Sequence, residues 1–122
     1  MTSDDLLAIA DLDDSDRATA MQALFQELAN LAPEAQYETL RQLIEVMAEK
    51  ASDAQYLRLC ATNLMLAAQM PDDQLRPFLG LRMKASASLP EAYAKRDQAM
   101  VQQAINEAAP GIREKIVRNF AL

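Results

Sequence analysis

Histidine and tryptophan are absent from this chain, cysteine occurs once, glycine twice, and the aromatic residues are three Tyr and three Phe. Each shortage removes a class of chemistry. Without His there is no side chain whose ordinary pKa lies near neutrality. That excludes the usual general base, the commonest metal ligand, and the Ser-His-Asp and Cys-His arrangements. One cysteine, Cys60, allows neither an intrachain disulfide nor a Cys/His zinc site. Gly80 and Gly111 are too few for phosphate-cradling loops or a succession of tight β-hairpins. Long apolar runs are missing too. The most apolar stretch, 57–68, is broken by Arg58, Thr62 and Asn63, short of the roughly 18 residues that a membrane span needs. The opening Met1-Thr2-Ser3-Asp4-Asp5 is acidic where a secretory signal is basic. The expectations are a cytoplasmic protein, no membrane, no metal and no cofactor.

What is present favours helix. Half of the 122 residues are hydrophobic, mostly Ala, Leu and Met, and Val is confined to Val46, Val101 and Val117. That length suits one domain, 1–122, with a core that needs no staples. The net charge of −6 is unevenly spread. Residues 1–53 hold twelve Asp/Glu against three Lys/Arg, and residues 54–122 hold six against nine.

A repeat organises the chain. Ala32-Pro33-Glu34-Ala35-Gln36-Tyr37 aligns with Ala51-Ser52-Asp53-Ala54-Gln55-Tyr56, then with Met70-Pro71-Asp72 and Leu89-Pro90-Glu91. The Pro or Ser positions 33, 52, 71 and 90 are 19 apart, and Pro110 follows after 20. Pro suits a first helical turn, where its missing N–H is no loss, and the acid beside it meets the positive end of the helix dipole. The spacing predicts helices over about 3–10, 14–31, 33–50, 52–69, 71–86, 90–108 and 110–120. The fold expected is all-α, a compact bundle of six to seven short antiparallel helices. Paired repeats span 38 residues, near the unit length of HEAT and tetratricopeptide arrays, but the likeness is of period alone.

Apolar stripes recur at helical spacing, as in Met21, Leu24, Phe25 and Leu28 or in Leu40, Ile44 and Met47. Between Ala54 and Met70 the only charge is Arg58, so this segment is expected at the centre, with Leu59, Leu66 and Met70 inaccessible. The methionines, Met83 among them, read as core filler. Pro77 and Gly80 interrupt the fifth segment, and a helix that starts late, at Pro77, is the preferred reading.

The carboxylate pairs Glu34/Glu38 and Glu45/Glu49 lie opposite the apolar stripe and read as a solvated face. The acidic 11–16 stretch lacks the glycine and the terminal Glu of a calcium loop. The functional expectation is a small non-enzymatic interaction module, such as an adaptor, assembly factor or regulatory subunit. Its partner is a protein, acidic where it meets a basic face built from Lys95, Arg96, Arg113, Lys115 and Arg118, and a second copy is one such partner. The overall negative charge argues against nucleic acid. The alternative is a bundle that binds a small apolar or anionic ligand in a pocket formed by Tyr56, Asn63 and Phe78.

Overall fold

A computed structural model describes residues 3–120 as seven α-helices: α1 (Ser3–Ala10), α2 (Asp14–Ala29), α3 (Pro33–Lys50), α4 (Asp53–Ala67), α5 (Asp72–Ala87), α6 (Glu91–Glu107) and α7 (Pro110–Phe120). There is no strand among the described residues. Helices begin within a residue of every expected start. Pro33 and Pro110 are themselves first helical residues, whereas Pro71 and Pro90 stand one position earlier, as extended N-caps. At Ser52 the cap is reciprocal. The Gln55 amide donates to Ser52 Oγ at 3.1 Å, and the Ser52 amide donates to Gln55 Oε1 at 2.9 Å, which satisfies two otherwise orphaned donors. Asp13 accepts from the Asp16 amide at 2.8 Å and starts α2 in the same manner.

The C-terminal ends are served by arginines from elsewhere in the fold. Arg17, only 4% exposed, donates to the carbonyls of Ala10 and Leu12 beyond α1 and to Thr62 Oγ1 on α4, and is paired with Asp14. Arg96 reaches from α6 to the carbonyls of Met47, Ala48 and Ala51 at the end of α3. Arg113 donates to the Asn106 carbonyl near the end of α6. Each guanidinium thus supplies donors at the negative end of a helix dipole, where carbonyls run out of helical partners; Met47 alone among these carbonyls also keeps its helical bond, from the Ala51 amide.

Helices two apart in the chain pack most closely, α4 against α6, α3 against α5 and α2 against α4. Buried side chains from all seven helices join one apolar cluster. Helix α4 contributes more buried residues than any other, with Tyr56 and Leu59 fully inaccessible and Leu66 buried. Met70 departs from expectation. Helix α4 ends at Ala67, so Met70 lies in the connection to α5 and is half-buried.

Pro77 also departs from expectation. It is the sixth residue of a helix that has already begun at Asp72, so α5 does not start late. Gly80 has ordinary helical φ and nothing within 4 Å of where a Cβ would stand, so α5 does not require a glycine there. Pro77 leaves the Asp73 carbonyl without its helical donor. Pro77→Ala is therefore expected to raise stability by about 1–3 kcal/mol in urea unfolding. No gain would show that the break is relieved by some other contact.

Candidate functional site

Four polar side chains from three helices meet in the interior between α4, α5 and α6. Asp97 of α6, 1% exposed, accepts from Tyr56 Oη at 2.6 Å, from Ser86 Oγ at 2.7 Å and from both terminal nitrogens of Arg82 at 2.8 and 2.9 Å. Burial acts to raise the Asp97 pKa. The Arg82 hydrogen bonds and charge, helped by Tyr56 and Ser86, outweigh it and hold the carboxyl below its ordinary range. Burial and the neighbouring carboxylate push the Tyr56 phenol up, so it stays a donor. The Cys60 thiol beside them is pushed up to about 12, chiefly by burial. The quartet thus fixes one charge pair and leaves both nearby acids protonated, the reverse of an activated nucleophile. Native protein at pH 8 is expected to react with Ellman's reagent only as fast as it unfolds; prompt labelling would place Cys60 at the surface.

Asp97 and Arg82 were not anticipated from sequence, yet a signal existed. Asp97 lies four residues from both Tyr93 and Val101, on the apolar stripe of α6, and Arg82 continues the Leu75–Leu79 stripe of α5. Charges on a stripe mark a buried pair when both partners do it.

Above the quartet, α5, α6 and α7 enclose a surface groove of about 450 Å³. Met83, Ala87, Val101, Ile105, Val117 and Phe120 form its walls, Gln98 and Gln102 line its α6 side, and Arg82, Ser86 and Asp97 also line it. Met83 and Val117 are each 49% exposed, the two most exposed large apolar side chains among the described residues. Met83 is therefore wall rather than core filler.

A second cavity, about 60 Å³, lies in the core. Asn63 and Phe78 line it, as the pocket expectation has it, but Tyr56 does not, because its hydroxyl is drawn to Asp97. Asn63 Oδ1 is buried and has no hydrogen-bond partner among the described residues.

The five cations expected on one basic face are differently employed. Arg96 is turned inward: besides the α3 carbonyls it pairs with Asp53 at 3.0 Å and lies over the Tyr56 ring, leaving 26% of the side chain exposed. Arg118 is bound to Asp72 of α5 at 3.0 Å, and the Asn119 and Arg118 hydrogen bonds hold the Asp72 carboxyl below its ordinary range. Lys115 is half-buried on the same side and adds to that field. Arg113 serves the α6 terminus. Lys95 stays in solvent with only an i,i+4 pair to Glu91. Of the five, Arg96, Arg113 and Arg118 are thus engaged by groups of this chain itself. Among the described residues, no three acids or thiols converge as metal ligands do, and no helix is long and apolar enough to cross a membrane. Comparison of the chain with protein-family models, with curated proteins and with solved structures gives no match.

Proposed function

We propose that this chain is a small non-enzymatic interaction module whose α5–α6–α7 groove receives an amphipathic helix of a protein partner. The observation that carries the reading is the placement of Met83 and Val117. The two most solvent-exposed large apolar side chains among the described residues line one groove, together with Val101, Ile105 and Phe120. A groove of this kind suits apolar residues presented at i, i+3/i+4 and i+7, and Met adapts its shape to what docks. Gln98 and Gln102 add polar, uncharged lining, and the lining charges of Arg82 and Asp97 are paired with each other. The half of the chain that builds the groove, 54–122, carries nine Lys/Arg against six Asp/Glu, while 1–53 is strongly acidic. A helix with acidic flanks is steered to the groove side and repelled from the other.

The test is a photocrosslinking residue at position 117, introduced in the source cell. The captured segment is identified, synthesised and titrated against the purified protein. The peptide is expected to gain helicity on binding, to bind at least ten times more weakly to Met83→Glu/Val117→Glu, and to weaken as salt rises. A captured segment that stays unfolded, or one that ignores the double substitution, overturns the reading. So does capture of a second copy alone.

A further inference from the structure

We infer that the core cavity is a binding site for one small neutral molecule with a short aliphatic body and a hydroxyl head, recognised by Asn63. The inference is independent of the groove and its partner.

The cavity's size sets the ligand's scale. At 10–15 Å³ for each water, its roughly 60 Å³ takes about four waters or a short chain of similar bulk. The wall sets the character. Leu24, Ile44, Leu59, Leu79 and Val101 are among the lining residues, and four waters in such surroundings would not find the two to four partners each requires. An aliphatic body needs none.

One polar atom in this wall is unsatisfied. Asn63 Oδ1 is buried without a partner, at a position one helical turn beyond Leu59 on α4. A hydroxyl both donates and accepts, so it satisfies the carboxamide through either of its ends. The remaining polar lining residues are already committed. Both terminal nitrogens of Arg82 are bound to Asp97, and the buried Cys60 thiol is uncharged at neutral pH. An ionised ligand would therefore lie in an apolar chamber with no counter-charge, which selects a neutral one.

A route in is also present. Arg82, Val101 and Phe120 line both the cavity and the surface groove. Val101 and Phe120 are half-buried, so the cavity and the groove are separated only by side chains that the two share.

The experiment uses methyl NMR spectra of the full chain, titrated with 1-propanol and 1-butanol, and with 1-chloropropane as a probe of similar bulk that has no donor. Saturable shifts of the Leu59, Leu79 and Val101 methyls are expected with the alcohols, with at least tenfold weaker saturation by 1-chloropropane. Asn63→Leu is expected to abolish that preference. Ala67→Val, which keeps Asn63 but narrows the cavity from another lining position, is expected to abolish saturable binding altogether, and it keeps the test decisive if the Asn63 variant does not fold. Shifts that rise linearly with alcohol overturn the inference. Equal affinity for alcohol and chloropropane does so too, as does alcohol binding unchanged in Ala67→Val. None of these readouts depends on Met83 or Val117, so the groove proposal stands or falls separately.

Discussion

Asp97→Asn is expected to lower the unfolding free energy by about 3–5 kcal/mol at pH 7, because it removes one partner of a buried charge pair and leaves the other. The carboxylate accepts four hydrogen bonds, two of them from one guanidinium. An asparagine side chain offers one acceptor oxygen, and its amide group presents donors to donors. Arg82 is 18% exposed along its side chain, so little water reaches it to compensate. Replacing both members by apolar residues of similar bulk should cost much less than the single change, since no orphaned charge remains. The Asp97→Leu/Arg82→Met pair, set in a double-mutant cycle, measures this directly. The pH dependence has a definite sign. Asp97 titrates lower in the folded protein than in the unfolded chain, where its pKa is about 3.9. Its contribution is therefore complete above that unfolded value and lost as pH falls through the folded one. The gap between wild type and Asp97→Asn should be widest at neutral pH and close in acid. A gap that is flat with pH, or smaller than about 1 kcal/mol at pH 7, would show that the quartet is not a coupled pair.

Helix positions were legible in the sequence because the signals that begin a helix are local. A Pro or Ser followed by an acid fixes a start whatever the tertiary context, and the starts at Pro33, Asp53, Asp72 and Glu91 follow it, while at Pro110 the proline alone marks the start. The centrality of α4 was legible for a similar reason: a helix with a single charge over most of its length has nowhere to go but inside. Pro77 shows the limit of local signals. Its propensity favours a late start, yet Leu75 before it is fully buried, and burying that residue as part of α5 outweighs the lost hydrogen bond.

The site was harder to read because it depends on which helices meet. Lys95-Arg96-Asp97 reads as a charged surface run, but α6 crosses α4 and α3 there, so its three charges go three ways: Lys95 to solvent, Arg96 to the α3 terminus, Asp97 to the interior. Cations that look available for a partner are used by helix C-termini, a demand that exists only after folding. Met83 and Val117 illustrate the converse. Each sits on a good apolar stripe, and only the spacing of α5, α6 and α7 leaves the pair uncovered. Of the expected pocket, Asn63 and Phe78 line the core cavity, whereas Tyr56 is drawn away by an acid that periodicity alone could not pair with it.

Leu59→Ala tests the remaining claim, that α4 is the centre of the structure and borders a void that cannot close. Leu59 is fully inaccessible and lies on the wall of the core cavity. Truncation removes its transfer energy and also enlarges an existing hole, and large-to-small core changes of this kind cost about 2–5 kcal/mol, rising by about 24 cal/mol for each Å³ of residual void. Collapse of α4 into the space would reduce the cost, but the helix is tied at several points. Its N-terminus is fixed by the Ser52–Gln55 capping box, Tyr56 is bound to Asp97, and Thr62 accepts from Arg17. A helix held in this way leaves the void open, so the loss should fall in the upper half of that range. Leu66→Ala on the same helix is the internal comparison. Leu66 is buried but does not line the cavity, so its truncation should fall in the lower half. Urea unfolding of both variants should show lower midpoints with an unchanged m-value, since neither alters the area exposed on unfolding appreciably. A Leu59→Ala loss below about 0.5 kcal/mol would place α4 at the periphery, and a loss equal to that of Leu66→Ala would mean that α4 is free to settle into the space.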